Sequence, residues 1–91
     1  MRYRLLYHPA VATDDLPRIP RNVQDRSRRA IERRLTQTPE LCGEPLRGTL
    51  RGYWKLRVGD YRVIYKIGRE TVLILAIKHR STVYESLRKR T

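Results

Sequence analysis

Four residues of one short run, Lys78, His79, Arg80 and Tyr84, follow an alternating stretch that carries Lys55, Arg57 and Arg62. Lysine and arginine hold anions, and arginine does so through a planar fork of donors that never loses its charge. His79 is the member of this set whose side chain ordinarily changes charge near neutrality, so it can serve as acid or base. A phenol such as Tyr84 can stack or assist a proton transfer. The set therefore offers anion binding coupled to proton movement. His8 and His79 lie far apart in the chain and the carboxylates are scattered, so no metal-ligand spacing is present and a route without metal or cofactor is favoured.

The elements that must position these residues are legible. Residues 53–58 and 61–65 alternate on either side of Gly59-Asp60, the pattern of a β-hairpin with a tight turn. With a period of two, Tyr53, Lys55 and Arg57 share one face while Trp54, Leu56 and Val58 share the other. On the returning strand Tyr61, Val63, Tyr65 and Ile67 alternate with Arg62, Ile64 and Lys66. A hairpin is marginal alone, so the apolar run 71–77 is expected to join it as a third strand across Gly68-Arg69-Glu70. Residues 3–7 read as a short strand pairing at an edge of this meander, ended by His8-Pro9.

Residues 10–16 suit a short helix with Val11 and Leu16 inward, stopped by Pro17. Residues 21–37 carry the strongest helical period, with Val23, Ser27, Ala30, Ile31 and Leu35 on one stripe. Arg21, Arg26, Arg28, Arg29, Arg33 and Arg34 fill the remaining faces against Asp25 and Glu32, so the outer surface is basic. Residues 39–48 read as a loop anchored by Leu46. Ser81 is expected to cap a short terminal helix carrying Val83, Tyr84 and Leu87, with a loosely held end. The class expected is α+β: an N-terminal strand, two helices, a three-stranded antiparallel meander and a short C-terminal helix or tail.

Ninety-one residues allow one domain, residues 1–91, with one modest core. Lysine and arginine number 21 against 9 acidic residues, a net charge of +12, and such a surplus calls for an anionic partner, most commonly nucleic acid. An anionic membrane surface or an acidic protein are the other candidates. The single cysteine, Cys42, excludes an internal disulfide, and the absence of an apolar run long enough to span a membrane points to a cytoplasmic protein, with no membrane expected as its partner.

Three motifs in this order, Leu46-Arg47-Gly48, the strand Gly59-Asp60-Tyr61-Arg62-Val63-Ile64-Tyr65, and the ending His79-Arg80 with Tyr84, resemble the RelE/ParE superfamily of type II toxins over nearly the whole chain. The resemblance implies the RelE-like fold, an acidic antitoxin as partner and, for the RelE branch, metal-independent endoribonuclease cleavage of mRNA in the ribosomal A site by 2′-OH attack. The ParE branch shares the fold but acts on DNA gyrase, and a degenerate member would only bind its antitoxin.

On this resemblance Arg62 matches the phosphate-clamping arginine and Lys55 the lysine of the preceding strand. Lys78 or Arg80 matches the tail arginine, and Tyr84 matches the terminal tyrosine. The founding ribonuclease has a second lysine where this chain has Tyr53. Lys55, Arg62, His79, Arg80 and Tyr84 are the expected catalytic set, converging on one surface. Arg28, Arg29, Arg33, Arg34, Arg57 and Lys78 are the expected contacts to mRNA and small-subunit ribosomal RNA. Each residue also has an ordinary reading: Lys55 and Arg57 as solvated strand residues, Tyr53, Tyr61 and Tyr65 as cross-strand packing, and His79 as a partner of backbone.

Overall fold

The computed structural model describes residues 2–90 and has the α+β fold expected from the sequence. Strand β1 (Arg4–Tyr7) leads into a wide helical turn, Val11–Asp15, and a tighter one, Leu16–Arg18. Pro17 lies inside the second turn rather than ending a helix, because a proline near the start of a turn loses no donor that the turn needs. Helix α1 (Arg21–Ala30) continues through a wide turn, Ile31–Leu35. Gln24 Nε2 donates to the carbonyls of Leu16 (2.7 Å) and Ile19 (2.9 Å), tying α1 to the turns before it.

The stretch expected as a plain loop contains helix α2 (Pro39–Cys42) and a two-residue strand, β2 (Glu44–Pro45). Buried Tyr65 donates its hydroxyl to Pro39 O at 2.7 Å and so fixes α2. Gly43 then lets β2 approach β3, since a Cβ there would strike the Tyr65 hydroxyl and lie 2.6 Å from the Lys55 carbonyl. Strands β3 (Tyr53–Val58), β4 (Tyr61–Ile67) and β5 (Thr71–His79) form the meander, and α3 (Val83–Leu87) follows. Gly59 has φ of 59° at the first central position of the hairpin turn while no described non-glycine residue is positive, the pattern of a II′ turn. The sheet has five strands in the order β1-β5-β4-β3-β2, with β1 parallel to β5 and the rest antiparallel.

Each sheet face has its own core. Val11, Ile19, Ile31 and Leu35 pack on Leu56, Val58, Val63, Tyr65, Val72, Ile74 and Ile77. On the other face Val83 and Leu87 of α3, both fully buried, pack with Leu46 on Ile64, Leu75 and Ala76. One irregularity decides what lies on each face. Ile64 pairs with Ala76 and Tyr65 with Ile74, so Leu75 is an extra residue in β5. A bulge of this kind reverses the alternation beyond it. Ile77 thereby joins the helix-side core, Lys78 turns to the α3 side, and His79 turns to the helix side.

Where β1 ends, its place along β5 is taken by a side chain. His8 N–H donates to Ile74 O at 2.8 Å, and the next free donor on that edge, Ile77 N–H, is met by Asp15 Oδ2 at 2.9 Å. Asp15 is 1% exposed and also receives Lys78 Nζ at 2.9 Å and both Arg90 terminal nitrogens at 2.7 Å. Arg90 is thus anchored, where a loosely held tail was expected, because it finds a buried carboxylate 75 residues away. Burial alone would push the Asp15 carboxyl up, but hydrogen bonds from Arg90, Ile77 and Lys78 outweigh it and hold the group below the usual carboxylate range.

Candidate functional site

The candidate site lies on the α3 face of β3 and β4. The hairpin register places Tyr53 opposite Lys66, Lys55 opposite Ile64 and Arg57 opposite Arg62, and β5 adds Lys78 opposite Arg62. Three cations, Arg57, Arg62 and Lys78, therefore form a row across three strands. Helix α3, seated on Ile64 and Ala76, brings the half-exposed Tyr84 hydroxyl to 3.4 Å from Lys55 Nζ.

Glu44, supplied by β2, stands 3.9 Å from Lys55 and 3.8 Å from Arg57. At 59% exposure of the Glu44 side chain these ion pairs hold the cations weakly, so another anion can compete with the carboxylate. Arg62 folds back on the hairpin turn and donates through Nη1 to Gly59 O (3.0 Å) and Tyr61 O (2.9 Å). That leaves the other terminal nitrogen of its fork for an anion.

Of the residues singled out in the sequence, Lys55, Arg57, Arg62 and Tyr84 are brought together. Lys78 shares their face, but its charge is engaged by Asp15 and its side chain is only 15% exposed. His79 does not join them. Its ring packs edge-on against Tyr61 on the helix side (centroids 5.4 Å apart), where the Leu75 bulge has turned it. The His79 Nδ1 accepts Ser81 N–H at 3.2 Å and lies 2.8 Å from Ser81 Oγ. Ser81 is thus a partner of His79, and Thr82 occupies the capping position of α3. Arg80 lies beside the hairpin turn, 3.9 Å from Asp60, both exposed.

The exposed Arg28, Arg29, Arg33 and Arg34 belong to the layer that covers the other sheet face, so the two basic surfaces face away from one another. Arg28 lies 3.7 Å from Asp25. Tyr7, beside Arg28 and Glu32 in a groove between β1 and α1, has its phenol pushed up by burial and by Glu32.

Sequence reasoning missed Asp15, Glu44 and Arg90. Asp15 had a signal, since it stands four residues after the inward Val11 and so shares its face. Glu44 and Arg90 had none, because their partners are set by register and by a distant carboxylate. Among the described residues no group of three or more His, Cys, Asp or Glu stands close enough to hold a metal ion, and no helix is long and apolar enough to cross a membrane.

The family model described as the ParE toxin of the type II toxin-antitoxin system parDE matches residues 5–84. Toxin RelE of Mycobacterium tuberculosis is 37% identical over 83 residues, covering 86% of each chain. The chain belongs to the RelE/ParE toxin superfamily.

Within that superfamily it is RelE-like. Toxin RelG of the same organism is 42% identical over 52 residues, covering 55% of this chain and 60% of RelG. The toxin–antitoxin complex RelBE2 from M. tuberculosis contains a chain that superposes on this RelE-like toxin with a TM-score of 0.80 at 29% identity, covering 88% of this chain and all of that one. The RelB–RelE antitoxin–toxin complex of Methanococcus jannaschii contains a chain with the same fold, at a TM-score of 0.71 and 21% identity over 89% of this chain and 96% of that one.

Proposed function

We propose that this RelE-like toxin is an mRNA endoribonuclease acting in the ribosomal A site and restrained by an acidic antitoxin. The observation that carries this reading is the juxtaposition of Lys55, Tyr84, Arg57 and Arg62 on one sheet face, with Lys55 and Tyr84 in contact at 3.4 Å. Cleavage by internal transfer needs a base for the 2′-OH, stabilisation of charge on the phosphate and a proton for the departing oxygen. Lys55 is the group in position to take the 2′-OH proton as the 2′-oxygen bonds to phosphorus. The bond from phosphorus to the 5′-oxygen breaks, and Tyr84 gives that oxygen its proton and regains one from Lys55. The products are a 2′,3′-cyclic phosphate and a 5′-hydroxyl.

Arg62, backed by Arg57, meets the charge that builds on the phosphate oxygens. The geometry favours Lys55 and Tyr84 over His79 for the proton steps, since His79 packs on Tyr61 on the opposite face. Arg80, at the hairpin end, is placed to touch the flanking backbone. Arg28, Arg29, Arg33 and Arg34 point away from the message and suit ribosomal RNA phosphates on the far side of a toxin wedged between the two. The surplus of +12 and the RelB–RelE complexes of the relatives support an acidic antitoxin for this chain.

The test is primer extension on a defined message in a translating ribosome system. Wild-type protein is expected to leave cuts within A-site codons, with 5′-hydroxyl ends downstream. Inhibition of gyrase supercoiling without any cut would overturn this reading in favour of a ParE-type binder.

A further inference from the structure

We propose that the Arg90–Asp15 pair is a clamp that fixes the rotation of α3 and so sets Tyr84 against Lys55, which makes Arg90 a positioning residue of the site. Its kinetic consequence rests on the ribonuclease reading above, whereas its structural consequence does not.

Helix α3 is five residues long, too short to persist by itself. Its apolar hold consists of Val83 and Leu87, both fully buried and one turn apart. Two anchors on one line define an axis about which a short helix can roll, and Tyr84 lies to one side of that axis. The Lys55–Tyr84 contact, long and exposed, cannot stop the roll. A contact to one side of that line can: Arg90 follows Leu87 on the same stripe, but its side chain reaches away from the Ile64 and Ala76 seat to Asp15 on the outer edge of β5.

The Arg90 guanidinium reaches both Asp15 oxygens at 2.7 Å and the Leu75 carbonyl at 3.2 Å, with its side chain 9% exposed. A bidentate pair shielded from water fixes direction as well as distance. Asp15 is itself immobilised by Ile77 N–H and Lys78 Nζ, both at 2.9 Å. A rigid path therefore runs from β5 through Asp15 and Arg90 to α3. The same carboxylate restrains Lys78, which stands opposite Arg62 in the cation row.

Arg90→Ala and Arg90→Lys, each made with Tyr84 and with Tyr84→Phe, test the clamp. Arg90 stands after α3, so its truncation leaves both cores filled. In Arg90→Ala, amide exchange at residues 83–87 is expected to quicken about tenfold or more while β3–β5 is unchanged, as local opening of one element requires. The nuclear Overhauser contact between the Tyr84 ring and the Lys55 side chain should weaken in parallel.

Single-turnover cleavage on programmed ribosomes should fall about tenfold with ribosome affinity unchanged, the signature of misplacement rather than lost binding. Arg90→Lys should recover part of the rate. Tyr84→Phe should cost little further in the Arg90→Ala background, because residues acting through one another do not add. Unchanged exchange and an unchanged Tyr84–Lys55 contact in Arg90→Ala would overturn the clamp, as would fully multiplicative effects of the two substitutions. If no protein in the series cuts RNA, the ribonuclease reading fails, and exchange and the ring contact alone decide the clamp.

Discussion

Asp15→Ala is expected to lower the unfolding free energy by about 3–5 kcal/mol, the cost typical of removing one partner from a buried ion pair. The carboxylate is fully buried, and donors of three residues, Ile77, Lys78 and Arg90, converge on it. Its loss strands two cations whose side chains are 15% and 9% exposed, and it leaves the Ile77 N–H unpaired. Set against the roughly 5–15 kcal/mol that holds a small domain together, this is a large fraction. Urea denaturation should show a lower midpoint at neutral pH.

The pH dependence has a definite sign. The Asp15 carboxyl is lower in the folded protein than in the unfolded chain, so its stabilisation is complete above the unfolded value of about 4 and is lost as pH falls through the folded one. The gap between wild type and Asp15→Ala should therefore be constant near neutrality and close only in the acid region below about pH 4. A deficit under about 1 kcal/mol at neutral pH would mean that Lys78 and Arg90 reach water when freed, and the pair would then count as a surface one.

Arg62→Ala is expected to reduce cleavage by about 10²–10³ with the fold intact, the loss typical when a preorganised donor to a developing oxyanion is removed. The side chain belongs to neither core. Its partners in the free protein are the Gly59 and Tyr61 carbonyls at the hairpin turn, so truncation should cost no more than about 1 kcal/mol of stability. Arg62→Lys keeps the charge but not the fork, and its activity should fall between the two. Single-turnover cleavage beside a thermal melt separates these effects. A folded Arg62→Ala protein that cuts at the wild-type rate would remove Arg62 from the mechanism.

The hairpin was legible because one of its faces carries charge. Lys55, Arg57 and Arg62 interrupt the apolar residues with period two, so register and facing follow from the sequence. Strand β5 was legible as a strand but not in its facing. Its run Thr71–Ile77 is apolar throughout because both sheet faces are covered there, and a continuous run hides a one-residue bulge. Extending the alternation from Ile74 puts His79 on the face of Lys55, and the extra residue at Leu75 moves it to Tyr61 instead. The clamp was illegible for a different reason. Arg90 is one cation among many, and only the three-dimensional arrangement shows that its partner is buried.

The long reach of the clamp also orders events in time. Turns of a few residues join β3, β4 and β5, so their contacts are cheap to close and can form early. The Ile77–Asp15 and Arg90–Asp15 contacts close loops of 62 and 75 residues and are expected to form after the meander exists to receive them. An interaction absent from the folding transition state slows unfolding without speeding folding. The clamp is therefore expected to act as a kinetic latch, with the meander complete while Tyr84 is still away from Lys55; on the ribonuclease reading, competence for cleavage would then follow formation of the sheet.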